Sequence, residues 1–231
     1  MDFINRYYLS DKQRILTHLL TFISENKQQK FTRIIRFRTR YITIVLEDIY
    51  QPHNASAVLR TCDCFGVQDV HIIENKNKYE VNPDVALGSA KWLNLIKHNQ
   101  AENNTTSCLS GLKEQGYQIV ATTPHQHDFT PDSFPIGKKF ALLFGTELHG
   151  LTPEAVSQAD QFIRIPMVGF TESLNISVSA AILLHSLTSR LHSSDVDWRL
   201  TDEEETDIFI AWAAAVIKKP DLLIRKFMDN P

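Results

Sequence analysis

Apolar and polar positions along the chain change period repeatedly, and each change marks an element. From Ser10 to Ile23 the residues Ile15, Leu16, Leu19, Leu20, Phe22 and Ile23 recur at helical spacing, with Ser10 and Gln13 placed as a capping box. Tyr41–Leu46 is a continuous β-branched run, the pattern of a buried strand. Gln51-Pro52-His53-Asn54 makes a turn, and Asn54 is placed to cap a helix that runs to Phe65 and stops at Gly66. Val70–Ile73 is the next strand, so the chain enters a β-α-β rhythm. Glu74–Trp92 is polar and too long for a plain connector, which makes it a candidate binding loop. Ser107–Gln115 reads as a helix ended by Gly116, and Gln118–Thr122 and Phe140–Phe144 read as strands. Thr152 and Pro153 open a helix to Asp160, and Phe162–Ile165 is the last strand. Ile165–Leu187 begins as a loop and ends as an apolar helix rich in small residues, with Ser173 as its expected N-cap. A second capping box, Thr201 with Glu204, opens a terminal helix carrying Ile208, Phe209, Trp212, Ala213, Val216 and Ile217. The alternation predicts an α/β fold: a mostly parallel sheet with helices on both faces, residues 41–192, flanked by helical extensions at 1–40 and 193–231.

Composition adds bounds. A chain of 231 residues with 43% hydrophobic content can bury one core with appended helices. No apolar run reaches membrane-spanning length, MDFINRYYLSDK carries no signal-peptide pattern, and three cysteines form neither a paired framework nor a zinc pattern. A reducing cytoplasm is the expected location. Metal binding is not expected. Cys62 and Cys64 point apart on a helix, and His125-Gln126-His127-Asp128 lacks supporting ligands.

The net charge of −3 argues against a nucleic-acid binder until its distribution is read. Lys27, Lys30, Arg33, Arg36, Arg38 and Arg40 are interleaved with Phe31, Phe37 and Tyr41, with no acid among them. Such a segment suits either local docking of phosphates or a solvated helix face. From Asp195 to Asp207 the chain is acidic, relieved only by Arg199.

Three polar clusters follow expected strands: Asn54 to Arg60, Gly145 to Glu147, and Glu172-Ser173-Leu174-Asn175. In open parallel sheets ligands bind beyond the carboxyl ends of strands, so these clusters are expected to converge. No G-x-G-x-x-G follows a strand, no phosphate-loop motif occurs, and Ser173 lacks the G-x-S-x-G elbow of a hydrolase. An Arg, a Glu, two Asn and a Ser suit a polar ligand beside a phosphate-bearing partner.

At these clusters the chain resembles the SpoU family of RNA 2′-O-ribose methyltransferases, of the SPOUT superfamily. The first motif is Asn54-Ala-Ser-Ala-Val-Leu-Arg60-Thr, and the second is Leu143-Phe-Gly-Thr-Glu147-Leu-His-Gly150-Leu. The third joins Ile165-Pro-Met-Val-Gly169 to Ser173-Leu-Asn175-Ile-Ser-Val-Ser-Ala-Ala. Gly88-Ser89-Ala90-Lys91-Trp92 resembles the loop of the TrmH-like subgroup, which methylates a D-loop guanosine of tRNA.

The resemblance implies a C-terminal trefoil knot, S-adenosyl-L-methionine bound in the knotted loops, tRNA as substrate (alternatively ribosomal RNA), and a homodimer. In that homodimer Arg60 would reach the cofactor of the other subunit. It assigns catalysis to Arg60, with Asn54 holding Arg60 and the RNA, Glu147 orienting the site, and Ser173 and Asn175 shaping the ribose and cofactor pocket. Cofactor contacts would come largely from backbone at Thr122, Gly145, Ile165 and Leu174. Arg33, Arg36 and Arg38 become the expected RNA-binding surface. A departure stands at Thr171-Glu172, where the subgroup carries a neutral pair, so a further carboxylate is expected near the site. A non-catalytic RNA-binding module is the reading from another class, and the intact site residues argue against it.

Overall fold

The computed structural model describes residues 7–79, 88–126 and 128–229. They fall into two compact units: the chain up to Arg38 together with the chain from Arg199, and Thr39–Trp198.

The first unit is helical. It holds α1 (Leu9–Leu20) and α2 (Glu25–Ile35). Tyr8, not Ser10, stands at the N-cap of α1, where its carbonyl accepts the N–H groups of Asp11 and Lys12. Returning to this unit, the chain forms α7 (Asp202–Ala214), opened by the expected Thr201–Glu204 capping box, and α8 (Pro220–Asp229), which sequence patterning missed. Lys12 is buried on α1, and its ammonium meets Glu203 and Asp207 of α7 at 2.9 Å each. Removing a buried charge from water is tolerable when acceptors replace the lost hydration. Phe31 packs edge-on against Trp212, and the Arg38 guanidinium lies 5.2 Å from the centre of the same indole.

The second unit is a six-stranded sheet in the order β3-β2-β1-β5-β4-β6, with every pairing parallel. Its strands are β1 (Ile42–Glu47), β2 (Asp69–Ile73), β3 (Asn94–His98), β4 (Gln118–Thr122), β5 (Phe140–Phe144) and β6 (Gln161–Ile163). The apolar runs at β1 and β5 are buried throughout and lie side by side at the sheet centre. The helices are α3 (Pro52–Cys64), α4 (Asn104–Glu114), α5 (Pro153–Gln158) and α6 (Ile176–His192). Successive strand side chains alternate faces, so Ile42, Ile44 and Leu46 pack with Leu59 of α3 and Leu183 and Leu187 of α6. Val45, Ile119 and Leu143 face the other way, onto Leu109 and Leu112 of α4 and Ala155 of α5. Two apolar layers cover the two faces, as a parallel sheet requires.

Candidate active site

The polar residues gather where β1 and β5 end, the point at which strand order diverges to the two sides of the sheet. Helix α3 begins at Pro52 with Gln51 as N-cap, so Asn54 lies inside the first turn and is not the cap. The fixed φ of proline suits the first helical position and advances the start. That frees the Asn54 side chain, which is buried and donates its amide to Gln51 Oε1 at 2.9 Å and to Glu147 Oε1. Asn175, not Ser173, caps α6, accepting the Ser177 N–H at 2.9 Å. Its own amide donates to Glu147 Oε1 at 3.0 Å and to Asn54 Oδ1 at 3.2 Å. Three sequence-remote motifs therefore meet as one hydrogen-bonded triangle, Asn54–Glu147–Asn175.

Glu147 belongs to the loop between β5 and α5, and Gly145 explains how that loop closes. Thr146 and Gly150 exchange backbone hydrogen bonds at 2.9 and 2.8 Å, folding the loop back on itself. A Cβ built on Gly145 would lie 2.2 Å from the Gly150 carbonyl, so only glycine permits this approach. The far end of the loop is held by Glu47, which the sequence reading did not single out. Glu47 is 1% exposed at the end of β1 and accepts the Thr152 N–H at 2.9 Å, the Thr152 hydroxyl at 2.8 Å and the Thr105 hydroxyl at 2.7 Å. Burial first, and then the Glu47 carboxylate, push the nearby Cys108 thiol up to about 12.

Beside the triangle opens a cavity of about 510 Å³ walled by the ends of β4, β5 and β6 and by the segment leading into α6. Thr122, Gly145, Ile165 and Leu174, the four positions expected to contact a cofactor, all line it, as do Glu147 and Ser173. The Thr122 hydroxyl donates to Leu143 O at 2.9 Å and joins two of the strands beneath the floor. Arg164 and Glu172 add one charge of each sign to the lining. The volume suits a ligand of nucleoside size, and its walls mix apolar side chains with polar ones as ligand sites do. The Arg164 Nε is buried with no hydrogen-bond partner among the described residues, an open donor that an anionic group on a ligand would satisfy.

Arg60 stands apart. It is exposed on α3 and does not line the cavity of its own chain. The Asn54 amide is committed to Gln51 and Glu147, not to Arg60. Of the residues expected at an RNA surface, Arg33 and Arg36 are exposed, but Arg38 is 2% exposed against Trp212. Arg38 therefore is corrected from surface contact to packing residue, because an indole face is a favourable seat for a guanidinium.

In the segment His125-Gln126-His127-Asp128, His125 and Gln126 line the cavity, Asp128 accepts the Phe162 N–H at 2.8 Å, and His127 lies outside the described residues. Residues 80–87 of the expected 74–92 binding loop also lie outside them. Elsewhere His71, His98 and Cys108 hold their ligand atoms within 4.8 Å of one another. His71 Nδ1 and His98 Nε2 share a hydrogen bond of 3.0 Å. Burial, reinforced by His98, pushes His71 down to about 4, which keeps the pair neutral.

Comparison with known proteins shows the family. The model of the SpoU rRNA Methylase family matches residues 41–185. A tRNA (guanosine(18)-2′-O)-methyltransferase of Borreliella burgdorferi is 42% identical over 200 residues, covering 87% of this chain and 90% of its own. The crystal structure of the TrmH/SpoU tRNA modifying enzyme of A. aeolicus superposes with a TM-score of 0.73 at 31% identity, covering 84% of this chain and 98% of that one. At 19% identity and a TM-score of 0.57, the fold also matches the SpoU methyltransferase AviRb of Streptomyces viridochromogenes, solved with AdoMet, over 70% of this chain and 62% of that one. With its three motifs joined in one site and a family match over most of its length, the chain belongs to the SpoU methylase family.

Proposed function

We propose that this protein transfers a methyl group from S-adenosyl-L-methionine to the 2′-hydroxyl of a ribose in tRNA, the guanosine at the position named for its relatives, in the D-loop. The observation that carries this reading is the Asn54–Glu147–Asn175 triangle at the rim of a nucleoside-sized cavity. The cofactor supplies an activated methyl group. The chain's residues must align the ribose oxygen with it and give the departing proton a destination.

The cofactor sits in the cavity, against backbone at Thr122, Gly145, Ile165 and Leu174, and the loops that wall it form the trefoil knot of the family. Ser173, exposed at the cavity edge, and Asn175 shape the ribose site, while Glu147 fixes the orientation of both asparagines. Arg60 acts in the neighbouring subunit of a homodimer. Its exposure and its absence from the lining of its own chain's cavity support that role. So do Val178 and Ile182, which stand exposed one turn apart on α6 as an apolar strip a second copy would cover. A guanidinium stays protonated at any physiological pH, so Arg60 clamps the phosphate beside the target ribose bidentately, and that phosphate or a water takes the proton. Arg60→Lys keeps the charge and loses the fork; near-complete retention of activity would remove the clamp.

Lys27, Lys30 and Arg33 on α2 and Arg36 at its C-cap are exposed and form the basic surface offered to RNA in the cytoplasm. Charge reversal at Arg36 is expected to weaken tRNA binding and flatten its salt dependence. The deciding experiment supplies purified protein with bulk tRNA and methyl-labelled S-adenosyl-L-methionine, then maps the label. A 2′-O-methylguanosine in the D-loop establishes the reading. Label only in ribosomal RNA keeps the chemistry and replaces the substrate, and no transfer to either RNA without cofactor binding leaves a non-catalytic RNA-binding module.

A further inference from the structure

Among the described residues that line the cavity, Arg164 is the only Arg or Lys. It directly follows β6, and its backbone N–H donates to Phe129 O at 3.0 Å, so the strand end fixes where its side chain starts. Its Nε is buried and donates to nothing among the described residues. Glu172 lines the same cavity, and its carboxylate enters no hydrogen bond or ion pair among the described residues. The two opposite charges do not pair with each other. Glu147, the other carboxylate in the lining, is held by Asn54 and Asn175 through Oε1 alone.

A ligand entering this cavity thus meets the open Nε of Arg164 and, at Glu172, a carboxylate that no described residue holds. A phosphate would gain from Arg164 and be opposed by Glu172. A neutral nucleoside would answer neither. An α-amino acid end answers both, because its carboxylate matches the guanidinium fork and its ammonium matches the carboxylate of Glu172.

We propose that Arg164 and Glu172 form a subsite for the zwitterionic methionyl end of the cofactor, Arg164 taking the α-carboxylate and Glu172 the α-ammonium. The assignment rests on the cofactor reading above. It makes the pair positioning residues, which set where the sulfur lies by holding the tail bonded to it, without touching the transferred methyl.

The test is isothermal titration of the full chain with two ligands that share adenosine and a thioether. S-Adenosylhomocysteine carries the amino acid end, and 5′-methylthioadenosine lacks it. Arg164→Gln is expected to weaken S-adenosylhomocysteine binding about tenfold or more, the scale of a lost charge-assisted hydrogen bond, and to leave 5′-methylthioadenosine unchanged. Unchanged 5′-methylthioadenosine affinity also certifies that the cavity is intact. Glu172→Gln follows the same pattern with a smaller loss, since Glu172 is exposed. Arg164→Lys, which keeps the charge, recovers part of the affinity. Equal weakening of both ligands, or none for S-adenosylhomocysteine, overturns the subsite while the cofactor reading stands. Weakened tRNA binding at unchanged S-adenosylhomocysteine affinity reassigns Arg164 to RNA phosphate. Failure of the unaltered protein to bind either ligand overturns the cofactor reading itself.

Discussion

Glu47 and Glu147 are carboxylates at the same edge of the sheet, each gripping one end of the loop between β5 and α5, and they are built in opposite ways. Glu47 is buried and saturated: two threonine hydroxyls and a backbone N–H occupy its oxygens. Glu147 is exposed and half used, since both asparagine amides converge on Oε1 and Oε2 has no partner among the described residues. A saturated buried carboxylate has nothing left for a ligand and serves the fold. A carboxylate held firmly by one oxygen, with the other in solvent, is positioned and still available. The loop is thereby fixed at one end and presented at the other.

That contrast can be broken by mutation, most sharply at the exposed end. Glu147→Ala is expected to lower methyl transfer at least about a hundredfold through misplacement of both asparagines. Its unfolding free energy should stay within about 1 kcal/mol of the parent, as for most exposed positions. A large fall in urea midpoint would make Glu147 a second scaffold residue and erase the distinction. Glu47→Ala should do the reverse, removing about 3 kcal/mol of stability by leaving buried donors unanswered. An unchanged denaturation curve would show that Thr105 and Thr152 find other acceptors.

Acid provides a third perturbation, directed at His71, the buried member of the histidine pair. The His71 ring is held at about 4 in the folded protein, below its ordinary value of 6.5, so the unfolded chain takes up the proton first as pH falls. The contribution is flat above 6.5 and is lost on the way down towards 4, amounting to about 2 kcal/mol between pH 6.5 and 5. Stability curves of the parent and of His71→Gln should diverge in that window, and parallel curves would contradict the assignment. Among polar groups whose partner is a near neighbour in sequence the effect should be smallest. Thr201→Ala, which removes one arm of the capping box, is expected to cost about 1 kcal/mol in a thermal melt.

The same division between near and distant partners decided what the sequence revealed. β1, β4 and β5 are legible because unbroken apolar runs announce strands buried on both faces. β3 (Asn94–His98) escaped because it is an edge strand with half-exposed residues and no clear alternation. Capping was legible as a tendency and not as a position. Pro52 moved the start of α3 ahead of Asn54, and Asn175 displaced Ser173 at α6. The motifs that carry Asn54, Glu147 and Asn175 could be recognised singly, and their convergence followed from strand ends. Glu47 could not, since both its threonine partners lie far along the chain and a glutamate at a strand end reads as solvated. Arg38 misled for the converse reason: among arginines it reads as surface, and only Trp212 reveals the burial.

The strand order β3-β2-β1-β5-β4-β6 also sets which pairings the site depends on. The pairs β1-β2 and β2-β3 join consecutive strands, whereas β5 pairs with β1 across the intervening chain, and β6 pairs with β4 alone. The cavity draws its walls from the ends of β4, β5 and β6, so it exists only after those distant pairings are made. Ligand affinity at this cavity is therefore a gauge of completed folding. By mass action, any molecule that binds there steadies β4, β5 and β6 together with the site they enclose.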